Sequence, residues 1–230
     1  MDSFLKQYCS KEWQEFVDFH KKTYSVKAKE HIFNEGEATK GLYIVNAGKV
    51  KVVTKGEERD TLIRLAADGD ILGHRGFGGD WAYPISAIAL EDTTVSFIPL
   101  AIFNQIVKAN TEFSYQLMMF FAEELRRSEE KIALIPVKNR VAKSIYYTYQ
   151  AFGYKDDDPG MLSFTLTRKE MASKAGTTYE TVIRMLAELN KSEIIRLENK
   201  EIRILDMDQL SQLARPFAMM KSEAIPASAS

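Results

Sequence analysis

Cysteine is almost absent from this 230-residue chain, where Cys9 stands alone. A single cysteine excludes an internal disulfide, a zinc site built on several thiolates and a four-cysteine iron–sulfur cluster within one chain. Histidine is scarce as well, with three residues. No His–Cys or Ser–His–Asp arrangement and no P-loop can be placed, so no catalytic or metal site is expected. Long apolar runs are missing: none approaches the roughly 18–20 residues that span a bilayer. The opening MDSFLKQYCSKEW also lacks a secretory apolar core, which makes a cytoplasmic location without a membrane partner the expectation. Charge of one sign is missing too, with 31 basic against 32 acidic residues. The balance is uneven along the chain. Up to Pro136 there are 17 basic and 20 acidic residues, and from Val137 on 14 basic and 12 acidic. A nucleic-acid partner is therefore expected at the C-terminal half.

What the chain does have is ordered in blocks. Residues 30–99 hold short β-type runs, among them HIFNEGEA, GLYIVNAG, KVKVVTKG, ISAIALED and TTVSFIPL, separated by turn signals such as NEG, NAG and DGD. About eight strands at this spacing predict a small sandwich or barrel, with a jelly roll favoured. From Leu100 to Ile135 neither proline nor glycine occurs. Phe103, Val107, Phe113, Leu117, Phe121, Leu125, Ile132 and Ile135 recur there mostly three or four apart, which predicts a helix. Glu123, Glu124, Arg126 and Arg127 keep that helix out of a membrane. Its length suggests pairing between subunits along Leu117, Phe121, Leu125 and Ile132; packing on its own β-domain stays open. After Pro136, VKNRVAKSIYYTYQAFGY reads as a second amphipathic helix and KDDDPGM as a polar loop.

Residues 166–205 carry the densest pattern. Thr167 with Glu170, and Thr177 with Glu180, each read as a T-x-x-E capping box that starts a short helix. Gly176 lies between them, suited to a left-handed turn. Met171, Ala172, Val182, Leu186 and Leu189 supply inward positions, and EIIRLENKEIRIL reads as two strands around a turn. This is a winged helix-turn-helix. Base edges are met by the N-terminal residues of the second helix, here Thr178, Tyr179, Glu180, Ile183 and Arg184. On one helical face, arginine suits guanine and glutamate suits cytosine; a solvated Glu180–Arg184 ion pair would look the same in sequence. Arg168 and Lys169 suit phosphate contacts.

With TYETVIRML on the second helix, the chain resembles the CRP/FNR family of bacterial transcription regulators over nearly its whole length. The resemblance implies an α+β protein. It divides into a cyclic-nucleotide-binding-like β-roll over 1–100, a long dimerisation helix over 101–136, a winged helix-turn-helix domain over 137–220 and a disordered tail over 221–230. It also implies double-stranded DNA as partner, a homodimer on a palindrome with a TGA-like core, and RNA polymerase as protein partner. Family members that bind cyclic nucleotides carry a G-E-L…R-[ST]-A cassette. DGDILGHRGFGGDWAYPISAIAL keeps its frame at Gly69, Asp70, Gly73, Ser86 and Ala87. His74 stands where the ribose-contacting glutamate would be, and Ile85 where the phosphate-binding arginine would be. Losing that charge-assisted bond costs about 2 kcal/mol or more, so cyclic AMP is not the expected effector. An iron–sulfur cluster is not expected either. The candidate effector pocket comprises Gly73, His74, Arg75, Ile85, Ser86, Ala87, Leu125 and Arg126. No effector is assigned. Another anion on Arg75, or haem on His74 or His31, is left open, as is a nucleotide-binding module acting on a protein partner.

Overall fold

Eight antiparallel strands form the first of two units in the computed structural model, which describes residues 9–56, 60–128 and 135–214. The units are Met1–Ser128 and Glu129–Ser230. In the first, helix α1 (Lys11–His20) precedes β1 (Lys22–Val26), β2 (His31–Phe33), β3 (Gly41–Ala47), β4 (Val50–Thr54), β5 (Thr61–Ala66), β6 (Ile71–Leu72), β7 (Ser86–Ala89) and β8 (Thr93–Pro99). The sheets run β1-β8-β3-β6 and β2-β7-β4-β5, the arrangement of a jelly roll. Strand β1 begins ahead of the runs read from sequence, because KTYSV pairs along β8 from Lys22–Phe97 to Val26–Thr93.

Alternation along the strands builds two cores from one sheet. In β3, Tyr43 and Val45 point into the roll, where they join Phe33, Val52, Leu72, Tyr83, Ala87 and Val95. Leu42 and Ile44 point the other way, onto a helical layer. A strand covered on both faces loses the polar positions of a half-exposed one, which is why GLYIV is apolar throughout.

That helical layer corrects the single long helix. Two helices occupy the segment, α2 (Leu100–Ala109) and α3 (Thr111–Ser128). Between them Asn110 turns out of the helix at φ −115° and ψ 99°, and its Oδ1 accepts the Phe113 N–H at 2.9 Å. Asparagine caps a new helix without any glycine or proline. The break lets Ile102, Phe103 and Ile106 of α2 and Phe113 and Leu117 of α3 bury against the same sheet face. Of the pairing residues expected, Leu117 is thus buried and Phe121 packs within its own unit, whereas Leu125 is 62% exposed. Ile132 and the 221–230 tail lie outside the described residues. The apolar row that α3 exposes is Tyr115, Met118, Met119 and Leu125.

The second unit opens with α4 (Val137–Phe152), followed by β9 (Tyr154–Lys155) and β10 (Asp158–Leu162), α5 (Arg168–Ala175), α6 (Tyr179–Lys191), β11 (Ile195–Glu198), β12 (Glu201–Ile204) and α7 (Met207–Ala214). KDDDPGM is a hairpin here rather than a loop. The Arg203 guanidinium of β12 holds both Asp158 carboxylate oxygens at 2.7 Å and Glu198 at 2.8 Å. This two-pronged grip fastens β10 to the β11–β12 wing. No helix among the described residues is long and apolar enough to cross a membrane.

Candidate nucleic-acid interface and effector loop

Helix α5 starts with the capping box read from the sequence. Thr167 Oγ1 accepts the Glu170 N–H at 3.2 Å and Glu170 Oε2 accepts the Thr167 N–H at 3.0 Å. It ends on Gly176 at φ 56° and ψ 50°. There the Gly176 N–H reaches Ser173 O at 3.2 Å and the Thr177 N–H reaches Ala172 O at 3.0 Å, the paired closing bonds of a left-handed helix end. Because Thr177 is spent on that closure, the second capping box does not form. Thr178 caps α6 in its place, its Oγ1 accepting the Thr181 N–H at 3.3 Å.

This shift by one residue has a chemical consequence. Glu180 moves to the second position of α6, where it has no cap to serve. Val182, Met185, Leu186 and Leu189 form the buried face of α6, while Thr178, Tyr179, Glu180, Ile183 and Arg184 are all exposed. Among the described residues neither Glu180 nor Arg184 has a hydrogen-bond or ion-pair partner, so the solvated pair that the spacing allowed is not formed. Two further groups brace the helix. Arg140 Nη1 of α4 donates to Gly176 O at 3.3 Å, and Asn190 Oδ1 accepts the Leu197 N–H of the wing at 3.0 Å. Arg168 is half-buried, which pulls its guanidinium below its ordinary pKa, and Lys169 is exposed. Sequence reading missed Arg140 and Arg203, whose partners lie 36 and 45 residues away.

The glycine-rich loop of the first unit is organised around a group that was not among its candidates. His74 sits in a short 3₁₀ turn, His74–Gly76. It is buried against the Phe120 and Phe121 rings of α3, with centroids 5.1 and 5.9 Å away. Arg75 Nη2 donates to Glu124 Oε2 of the same helix at 2.7 Å. His74 Nε2 stands 3.8 Å from that oxygen, beyond hydrogen-bond reach but close enough for its dipole to act. Burial pushes the imidazole below its ordinary pKa, opposed by Glu124 and reinforced by Arg64 and Arg75. In return the His74 ring and the Arg75 guanidinium, with Arg64 adding its charge, hold the Glu124 carboxyl down at about 2 despite partial burial.

The other pocket candidates are dispersed. Ile85 packs against the roll interior, Ser86 Oγ accepts the Glu35 N–H at 2.9 Å, and Ala87 is fully buried. Gly73 has φ 80°, and a Cβ there would meet the Tyr83 ring at 3.0 Å. Tyr83 belongs to the core: it stacks on Phe33 at 4.3 Å and donates to Gly41 O at 2.7 Å. Leu125 is exposed, His31 is exposed on β2, and the Arg126 side chain lies outside the described residues.

The Glu124 geometry predicts an acid-sensitive contribution to stability. A carboxyl whose pKa is lowered by folding stabilises fully above its ordinary value of 4.5 and loses that contribution as pH falls toward about 2. Both tryptophans, Trp13 and Trp81, lie in the first unit, so their fluorescence follows its unfolding. Glu124→Gln should lower stability at pH 7 by on the order of 1–2 kcal/mol and flatten the pH dependence below 4.5. Parallel pH profiles for the two proteins would contradict the contact.

Residues 24–110 match the cyclic nucleotide-binding domain family, and residues 139–213 match the Crp-like helix-turn-helix domain family. Over 191 residues the chain is 31% identical to the fumarate and nitrate reduction regulatory protein of Vibrio cholerae, covering 80% of this chain and 75% of the relative. Its counterpart in Escherichia coli strain K12 is 30% identical over 189 residues, 80% and 74% of the two chains. The chain belongs to the CRP/FNR family. Among solved structures it is similar to TTHA1359, a CRP/FNR-family transcriptional regulator from Thermus thermophilus. That match has 26% identity and a TM-score of 0.69, over 84% of this chain and 98% of the other. FixK2 of Bradyrhizobium japonicum shares the fold at a TM-score of 0.71 and 21% identity, over 85% and 98%. This CRP/FNR protein is a transcription regulator with a DNA-binding helix-turn-helix.

Proposed function

We propose that this CRP/FNR regulator binds a palindromic operator as a homodimer and that α6 enters the major groove. Glu180 and Arg184 read base edges there, with Thr178, Tyr179 and Ile183 beside them and Arg168 and Lys169 on phosphates. The observation that carries this reading is the exposed Glu180–Arg184 pair, four residues apart on a helix whose opposite face is buried, each without a protein partner among the described residues. A carboxylate and a guanidinium so placed are held ready for bases instead of for each other.

Dimerisation is supported by the Tyr115, Met118, Met119 and Leu125 row on α3, which a second copy of the helix would cover. RNA polymerase is the proposed protein partner, by family likeness. Cyclic AMP is not the proposed effector, because Ile85 offers a phosphate no charge and packs into the roll, while Arg75 is engaged by Glu124.

Binding should be specific for a palindrome in competition with scrambled duplex, and its affinity should fall steeply with salt as counterions are released. Met118→Glu should shift the protein from dimer to monomer in sedimentation and weaken operator binding in parallel. Salt-insensitive binding would remove the phosphate contacts, and equal affinity for scrambled DNA would remove the base-reading role.

A further inference from the structure

Beside its polar pair, α6 exposes an apolar one. Ile183 is 46% exposed and Tyr179 41% exposed, four residues apart and therefore on one helical face. Each helical residue advances by about 100°. This sets Ile183 next to Arg184, between Tyr179 and the outward Glu180. Among the described residues, nothing in the fold requires an isoleucine there. The buried face is complete with Val182, Met185, Leu186 and Leu189. A β-branched side chain in an exposed helical position also loses rotamer freedom relative to alanine or lysine.

We infer that Ile183, beside Tyr179, is a specificity residue that contacts the C5-methyl group of a thymine. The inference rests on the groove-facing role of α6 proposed above. Among the base edges of the major groove, the thymine methyl is the apolar group, and a hydrocarbon side chain recognises it by excluding water from both. Glu180 and Arg184 supply the hydrogen-bonding half of the readout, and Ile183 supplies the half that hydrogen bonds cannot make. Because Arg184 reads a guanine, whose pair holds no thymine, and Ile183 adjoins Arg184 in the helix, the thymine belongs to a base pair next to the one read by Arg184. The half-site is then a thymine flanking a G·C pair, read by two side chains of opposite character.

The test uses the full-length protein and the tightest duplex recovered from a randomised pool. Each thymine is replaced in turn by deoxyuridine, which lacks only the methyl group. One thymine per half-site should prove sensitive, with a loss of about 4-fold for one half-site and on the order of 15-fold when both are changed. Ile183→Ser should bind the thymine and deoxyuridine duplexes equally, with unchanged folding by circular dichroism because the side chain is exposed. Wild-type protein indifferent to deoxyuridine at every position overturns the inference, even if Arg184→Ala still loses operator discrimination. A methyl effect that survives intact in Ile183→Ser overturns it too, since another residue then makes the contact. If Arg184→Ala retains full discrimination, the groove-facing role itself fails, and that outcome is separate from the methyl result.

Discussion

Arg184→Ala should erase most of the preference for the proposed operator over scrambled DNA while leaving the fold and the proposed dimer intact. Arg184 is exposed on α6 and is bound to nothing else among the described residues, so its removal should change stability by no more than about 0.5 kcal/mol. A bidentate arginine–guanine contact contributes about 1–3 kcal/mol of discrimination. The proposed dimer would make it twice, which places the loss of operator preference between about 30-fold and about 10⁴-fold. Fluorescence anisotropy with operator and scrambled duplexes at one salt concentration measures the ratio directly. The residual affinity should keep a salt dependence close to that of the wild type, because the phosphate contacts proposed for Arg168 and Lys169 are left in place. An undiminished ratio would mean that the guanidinium stays in solvent, and the base-reading role would fall with it.

Phe113→Ala should destabilise the first unit by about 3–5 kcal/mol, the cost of emptying a large buried aromatic site. Phe113 is 1% exposed, packs edge-on against Phe103 with centroids 6.0 Å apart, and stands at the third position of α3 under the Asn110 cap. Leu125 lies twelve residues further along what the sequence presents as one continuous apolar seam. It is 62% exposed, and Leu125→Ala should leave the melting of the first unit nearly unchanged while weakening dimerisation. Denaturation followed by tryptophan fluorescence separates the two. Equal costs at both positions would show that α2 and α3 are not divided at Asn110 and that the seam has a single use.

The difference between those two residues shows where sequence reading reached its end. Phe113 and Leu125 share a periodicity, and periodicity reports that a helix has an apolar side without naming what covers it. The division at Asn110 was visible only as an asparagine ahead of Thr-Glu-Phe, an ordinary cap signal submerged in a run without glycine or proline. The helix-turn-helix was more legible because its signals are local. Thr167 with Glu170 and Gly176 as the turn residue stand in the structure as the sequence places them. The second cap slipped by one residue. Thr177 and Thr178 are equally competent in isolation, and the closing bond from the Thr177 N–H to Ala172 O settled which of them starts α6.

By itself, the sequence determined the elements whose information is short-range. Alternating strands with turn signals made the roll, and capping residues around Gly176 made the helix-turn-helix, because each of these is decided by neighbours within a few residues. The tertiary structure decided the partners. Arg75 with Glu124 spans 49 residues, Arg203 with Asp158 spans 45 and Arg140 with Gly176 spans 36. An ion pair or a side-chain bond between distant elements leaves no periodic trace in the chain, and only folding brings its two ends within reach. The same holds for what is left unpaired among the described residues: Glu180 and Arg184 stay free on the surface of α6 because the fold satisfies its own needs elsewhere, through Thr178 at the cap and Arg140 at the turn.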